Sequence, residues 1–136
     1  MVVDTSALVA ILFNESDAER YAKALASASR RVLSVVTRVE LAFVVEGRKG
    51  DTGRAALEQL LSEGDFEIAA VTAHQAMTAI DAFRRFGRGR HRAALNIGDC
   101  FVYALAATSN EPLLYKGDDF AWTDLRSALP LTAQSR

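Results

Sequence analysis

The sequence predicts an α/β fold of three layers, in which a short central parallel sheet is flanked by helices. Short apolar runs rich in β-branched residues alternate with longer helical stretches, as in βαβ units. The chain has 136 residues, a length typical of one domain, and 50% of them are apolar, which is enough to form a core. We therefore expect a single domain over residues 1–136.

The composition excludes several classes of protein. The 16 Lys and Arg residues nearly balance the 17 Asp and Glu residues, so neither a uniformly basic nucleic-acid coat nor an acidic disordered tail is expected. The single Cys100 excludes a disulfide-stapled scaffold and a Cys-rich zinc module. The N-terminus has no basic start before its apolar stretch, and no run reaches the length of a membrane helix. We expect a soluble cytoplasmic protein without a membrane segment.

The first half of the chain contains two predicted strands and four predicted helices. Apolar β-branched residues mark the strands, capping residues and Ala-rich stretches mark the helices, and glycines mark their ends. In order, these elements are a strand at 2–3, a helix over 7–13 after three possible caps at 4–6, a helix over 18–28, a strand over 31–35, a helix capped by Thr37 that ends near Gly47 or Gly50, and a helix from Asp51 or Thr52 to Gly64.

The second half continues the alternation. A third strand over 66–71 precedes a helix over 72–86, and a basic loop over 87–92 follows. Asn96 is expected to cap a long helix that runs to Ala107. A fourth strand over 112–115, a loop over 116–124 and a weak edge strand over 131–133 complete the predicted fold.

Acidic residues from four parts of the chain are expected to meet at one edge of this sheet. Asp4 follows the first strand, and Asp118 and Asp119 follow the fourth. Glu40 and Asp99 lie in the first turns of helices that connect parallel strands and begin at the same edge. Open α/β sheets bind ligands at the carboxyl ends of their strands. The topology therefore predicts one acidic cleft.

A cluster of carboxylates favours a hard divalent cation, because unpaired acids repel one another. Mg²⁺ and Mn²⁺ prefer carboxylate and water oxygens, and such ions can support phosphodiester hydrolysis. Each acid also has a structural interpretation, since Asp4 could cap a helix, Asn96 and Asp99 resemble a capping box, and Asp118–Asp119 after Gly117 is typical of a turn. The joint placement of the acids carries the prediction.

Four segments resemble a known family. They are MVVDTSALVAIL at the start, VTRVELA around Glu40, LNIGDCFVYALA around Asp99 and LLYKGDDFAWTDL after the fourth strand. In order and spacing they resemble the PIN-domain ribonucleases, and in particular the VapC toxins of bacterial type II toxin–antitoxin pairs. The resemblance covers essentially the whole chain.

The resemblance implies a Mg²⁺- or Mn²⁺-dependent endoribonuclease that acts on RNA, a cognate antitoxin protein and a homodimer. It implies that Asp4 and Asp99 bind the metal directly and that Thr5 and Ser6 support the first carboxylate by hydrogen bonds. Asn96 matches a polar position one turn before Asp99. The implied catalytic acids are Asp4, Glu40, Asp99 and Asp119, with Asp118 as a possible helper.

A basic cluster is expected to contact RNA phosphates in preference to forming only a solvated helix end. Lys116, near the acidic edge, could orient a carboxylate or touch a phosphate. Trp122 is expected to pack at a protein interface more readily than on a base, and an antitoxin segment could lie between the early helices. The cluster consists of Arg84, Arg85, Arg88, Arg90 and Arg92, together with His91.

Two other functions require a residue that this sequence lacks, and a third function remains an alternative. A receiver domain needs an acceptor aspartate after the third strand, where Thr72 stands. A phosphatase with an initial aspartate nucleophile needs a second aspartate where Ser6 stands. A non-catalytic module that binds RNA or an antitoxin in the same acidic cleft remains the alternative to an enzyme.

Overall fold

A four-stranded parallel sheet forms the centre of the structure, a computed structural model that describes residues 1–129. The strands are β1 Val2–Val3, β2 Val32–Ser34, β3 Glu67–Ala69 and β4 Leu113–Leu114. Their order across the sheet is β3-β2-β1-β4, and every pair is parallel. The predicted strand over 131–133 lies outside the described residues.

Within residues 1–129, five α-helices and one 3₁₀ helix surround the sheet. Their bounds are α1 Thr5–Leu12, α2 Ala18–Ser27, α3 Val35–Glu63, α4 Ala73–Phe86, α5 Ile97–Ser109 and the 3₁₀ helix Phe120–Trp122. None of the helices in residues 1–129 is long and apolar enough to cross a lipid bilayer.

Two apolar clusters lie on opposite faces of the sheet, because successive strand residues point to opposite sides. Val2 and Leu113 pack with α4 and α5 in one cluster. Val3 and Leu114 pack with α1, α2 and α3 in the other. The result is a helix–sheet–helix arrangement, so the predicted three-layer α/β fold is confirmed.

The third helix differs most from the prediction. Ser34, the last residue of β2, caps α3 by accepting a hydrogen bond from the Val36 N–H at 3.2 Å, so the helix begins before Thr37. Gly47 does not end it. The backbone kinks at Gly50, where a φ of 57° breaks the helical geometry, and the helix then continues to Glu63. The predicted break near Gly50 and the predicted second helix after it are therefore confirmed, and α3 denotes the two helical segments that this kink joins.

Candidate active site

Asp4 lies at the carboxyl end of β1 and caps α1. Its side chain accepts hydrogen bonds from the Ser6 N–H at 3.1 Å and from the Ser6 hydroxyl at 2.6 Å. Only 6% of the residue is exposed. Burial raises the pKa of Asp4, the Ser6 hydrogen bonds oppose that rise, and the charge of Glu40 adds to it. Asp4 is therefore both a structural cap and a buried acid beside a second one.

Ser6 also connects Asp4 to the far end of the chain. The Lys116 backbone N–H donates a hydrogen bond of 2.9 Å to the Ser6 hydroxyl oxygen, and that hydroxyl donates to Asp4. The segment after β4 is thereby tied to the acid that follows β1. These bonds fix the orientation of the Asp4 carboxylate in the sheet edge.

Glu40 projects from α3 towards the start of α5. Its carboxylate accepts a hydrogen bond from the Thr5 hydroxyl. The family resemblance implies that Thr5 supports Asp4 by a hydrogen bond, but the Thr5 side chain supports Glu40 instead. A Cβ atom added at Gly98 would lie 2.3 Å from Glu40 Oε2. The missing side chain of Gly98 therefore makes room for the Glu40 carboxylate.

Asp99 lies in the first turn of α5, where it completes a capping box. The Asp99 N–H donates to Asn96 Oδ1 at 2.9 Å, and the Asn96 N–H donates to Asp99 Oδ2 at 3.1 Å. Burial raises the pKa of Asp99 to about 6; the Asn96 hydrogen bond opposes the rise, and the charges of Asp4, Asp119 and Glu40 add to it. Asp99 is thus within electrostatic reach of three other acids, and we call these four residues the acidic cluster.

The two acids after β4 differ in their surroundings. Asp119 belongs to the acidic cluster, because its charge raises the pKa of Asp99. Asp118 is not among the groups that shift the pKa of Asp99, and it lines a separate polar cavity with Lys116 and Asp17. Both are exposed. The geometry therefore favours Asp119 over Asp118 as the fourth acid.

The carboxylates of the acidic cluster are ligands that a hard dication prefers, although their side chains do not form a compact ligand set. All four groups of the acidic cluster offer carboxylate oxygens, and burial of Asp4 and Asp99 makes an uncompensated negative charge there costly. Across residues 1–129, no three Asp, Glu, His or Cys side chains are close enough to form a ready ligand set. Mg²⁺ commonly uses only one or two protein carboxylates with water and phosphate oxygens. Asp4 and Asp99 each offer a carboxylate of this kind.

Lys116 turns away from the acidic cluster. Its ammonium donates to Glu15 Oε1 at 2.6 Å and to Asp17 Oδ1 at 2.9 Å, and these bonds raise its pKa. Only its backbone N–H approaches the site, through Ser6. The Lys116 side chain joins the loop after α1 to the segment after β4, and it does not orient the acids named above.

The basic cluster divides into structural and unpaired members. Arg85 donates to Asp124 and to the Tyr103 hydroxyl, which itself donates to Asp124 at 2.6 Å. Arg90 lies over the Phe83 ring. Arg92 lies over the Trp122 ring, and His91 Nδ1 accepts a hydrogen bond from the Ala93 N–H at 3.0 Å. No ion pair with any residue in 1–129 is made by the arginines other than Arg85, which are Arg84, Arg88, Arg90 and Arg92.

Sequence reasoning missed Gly98 and the Arg85–Tyr103–Asp124 network. The glycine in the first turn of a capped helix was a usable signal, because glycine there weakens the helix unless something needs the space. No comparable signal marks the network, since Arg85 and Asp124 are 39 residues apart and their meeting depends on the fold.

A parallel sheet with acids at its carboxyl edge is the architecture of the PIN domain, and the PIN domain family model matches residues 1–124. The chain belongs to this family. Within this family, the relatives of the chain include VapC ribonucleases of mycobacteria.

Two curated relatives match nearly the whole chain. Ribonuclease VapC30 of Mycobacterium tuberculosis is 48% identical over 131 residues, which cover 96% of this chain and 100% of the relative. Ribonuclease VapC of Mycolicibacterium smegmatis is 50% identical over 125 residues, which cover 92% and 97%. Identity at this level over this length shows common family membership.

Two solved structures share the fold. Mycobacterium tuberculosis VapC20, described as a Sarcin-Ricin loop cleaving toxin, has a TM-score of 0.76 at 19% identity and covers 95% of this chain and 98% of its own. VapBC2 from Rickettsia felis, bound to a DNA fragment from its promoter, has a TM-score of 0.74 at 16% identity, with coverage of 93% and 94%. At these identities the likeness concerns the fold.

Proposed function

We propose that the chain is a Mg²⁺- or Mn²⁺-dependent endoribonuclease that acts in the cytoplasm as the toxin of a type II toxin–antitoxin pair. The observation that carries this proposal is the convergence of acids from three elements at one sheet edge: Thr5, next to Asp4, donates to Glu40, and Gly98, next to Asp99, makes room for Glu40. The charges of Asp4, Glu40 and Asp119 also raise the pKa of Asp99. Four carboxylates from distant parts of the chain have no mutual attraction. A bound dication would offset the repulsion between these negative charges and so stabilise the carboxylates close to one another. The kinship with VapC ribonucleases supports the same function.

The residues of the acidic cluster have distinct roles in this proposal. Asp4 and Asp99 would hold the metal ion, which supplies Lewis-acid stabilisation of phosphate charge and an acidified water when bound. Glu40, oriented by Thr5 and given room by Gly98, can accept a proton from the attacking water. Asp119 is the exposed acid that faces incoming substrate. Ser6 positions Asp4.

The test is cleavage of RNA by the purified chain. We expect cleavage with Mg²⁺ or Mn²⁺, no cleavage in excess EDTA, and a loss of at least about 100-fold in Asp4→Asn or Asp99→Asn, as typical for removal of a key catalytic group. Asp118→Asn is the matched control and should retain most activity. Cleavage that persists in excess EDTA would contradict the metal mechanism. RNA binding without cleavage under any condition would favour the non-catalytic module.

An antitoxin partner is proposed for the exposed face of α3. Val35, Val39 and Phe43 are spaced by one helical turn and form an apolar stripe, with Phe43 77% exposed. Such a stripe suits an apolar helix laid along it. Among the structural neighbours is a toxin–antitoxin complex from Klebsiella pneumoniae. A cognate antitoxin that is co-expressed with the chain should copurify with the wild type and be lost from Phe43→Ser.

A homodimer is proposed through α4 and α5. Met77, Ile80 and Phe83 of α4 and Ile97 of α5 are exposed, and a cavity of about 460 Å³ with almost wholly apolar walls lies between the two helices. Exposed apolar patches of this kind mark protein interfaces. Light scattering should give a dimer for the wild type and a monomer for Ile80→Asp. A wild-type monomer would contradict this assignment and leave the catalytic proposal unaffected.

A further inference from the structure

Trp122 is held close to the acidic cluster by a short, anchored segment. It ends the 3₁₀ helix that directly follows Asp119, and its N–H donates to the Asp119 carbonyl oxygen at 3.4 Å. Phe120 is buried and packs against Tyr115 with ring centroids 5.6 Å apart. The backbone that carries Trp122 is therefore fixed by the core on one side and by Asp119 on the other.

The Trp122 ring carries a cation on its face. The Arg92 guanidinium carbon lies 3.8 Å from the ring centroid, well within the range of about 6 Å for a cation–π interaction. Arg92 comes from the turn after α4 and has no ion pair with the described part of the chain. Its charge is therefore available to a ligand while its guanidinium carbon lies over the indole ring.

This pair has the chemistry of a nucleic-acid contact and not of an apolar interface. Trp122 remains 45% exposed although the guanidinium covers part of its ring. A protein partner that covered the pair with apolar side chains would bury an unpaired charge, which is costly. RNA offers a base that stacks on an aromatic ring or a guanidinium plane, together with phosphates that pair with the charge.

We propose that Trp122 and Arg92 form a stacking platform for one unpaired base of an RNA substrate, next to the phosphate whose hydrolysis the acidic cluster would support. The proposal rests on the ribonuclease function proposed above and adds to it a base-binding contact made by Trp122 and Arg92. Bases inside a duplex are already stacked and cannot lie on the indole, whereas bases in loops and single strands can. The platform therefore selects RNA that is unpaired at the cleavage site.

The chain provides its own reporter for this contact, because Trp122 is its one tryptophan. We would titrate the full chain in excess EDTA with poly(U), which is single-stranded, and with the poly(A)·poly(U) duplex. We expect saturable quenching of the tryptophan emission by poly(U) and a much weaker effect of the duplex. Equal quenching by both, or none by either, would overturn the proposal.

Variants separate stacking from general charge attraction. Trp122→Ala should weaken binding of labelled poly(U) by about 5- to 100-fold, and Trp122→Phe should restore most of the affinity. Arg92→Ala should weaken it several-fold more than Arg54→Ala, which removes an exposed arginine of α3 that pairs with Asp51. Unchanged affinity in both Trp122 variants, with folding verified by circular dichroism, would overturn the proposal.

The same samples keep this proposal distinct from the catalytic one. Quenching by poly(U) in a chain that never cleaves RNA would support the platform and contradict the ribonuclease function. Cleavage without quenching would do the reverse. Emission that changes with protein concentration and not with poly(U) would identify an interface between copies of the chain, and it would also overturn the platform.

Discussion

Asp99→Asn is expected to stabilise the folded chain at neutral pH and to leave its stability in acid nearly unchanged. The pKa of Asp99 rises from 3.8 to about 6 on folding, chiefly through burial. The folded chain therefore holds this proton more tightly than the unfolded chain does. The wild-type free energy of unfolding falls as the pH rises from 3.8 towards about 6, and it stays lower above that range.

The size of the effect follows from the same pKa values. A rise from 3.8 to about 6 corresponds to about 3 kcal/mol. Because Asp99 is only partly buried, solvent screening reduces this to about 2 kcal/mol. Asparagine keeps an oxygen for the Asn96 N–H, but the lost negative charge at the start of α5 costs about 0.3–1 kcal/mol. We expect a net gain of about 1–2 kcal/mol at neutral pH.

The measurement is urea unfolding followed by circular dichroism, in excess EDTA, at about pH 3, below both pKa values, and at about pH 7.5, above both. The difference between variant and wild type should be close to zero at the lower pH and positive at the higher one. Asp118→Asn is the control, and its effect should not depend on pH in this way. A variant that is less stable than the wild type at about pH 7.5 would refute the reasoning, and Asp99 would then act mainly as a helix cap.

Three further outcomes are expected. Gly98→Ala should lower the free energy of unfolding by about 1–2 kcal/mol, because its Cβ would push Glu40 from its hydrogen bond with Thr5. In a Glu40→Ala background the same substitution should be neutral or stabilising by up to about 1 kcal/mol. Urea unfolding of the four proteins measures this coupling, and additive effects of the two substitutions would contradict it. Gly50→Ala should lower the free energy of unfolding by about 1–3 kcal/mol, and with it the melting temperature, because the position has a positive φ. Gly47→Ala, in a helical position with open space around it, should raise the melting temperature, and equal effects of the two variants would refute the strain argument. Mg²⁺ should raise the melting temperature of the wild type at neutral pH and have little effect on Asp99→Asn, and an undiminished shift in that variant would count against Asp99 as a metal ligand.

The sequence predicted the layers and the sheet edge because these follow from local patterns and from topology. Strands of two or three apolar residues, caps such as Asn96 and glycines such as Gly64 are visible without any tertiary information. The handedness and order of parallel connections then bring residues 4, 40 and 99 to one edge. That part of the site needed no knowledge of side-chain contacts.

The details that the sequence did not reveal depend on tertiary contacts. Ser34 and Thr37 are equally good caps, and only the point at which β2 ends decides between them. Thr5 follows Asp4 directly in the sequence, but because α3 packs against α1 the Thr5 hydroxyl donates to Glu40 instead. Arg85 and Arg92 cannot be distinguished within the basic cluster by sequence alone. In the fold, Arg85 pairs with Asp124, whereas Arg92 lies over the Trp122 ring.

The strand order has a consequence for how the protein is made. β1, the first strand to leave the ribosome, lies between β2 and β4, and β4 is the last of the described strands to be synthesised. A nascent chain that stops before residue 113 lacks this neighbour of β1, and it also lacks the Lys116 amide that holds Ser6 against Asp4. The carboxylate that follows β1 therefore receives part of its support, through Ser6, from a residue 110 positions further along the chain than Ser6, which is synthesised much later.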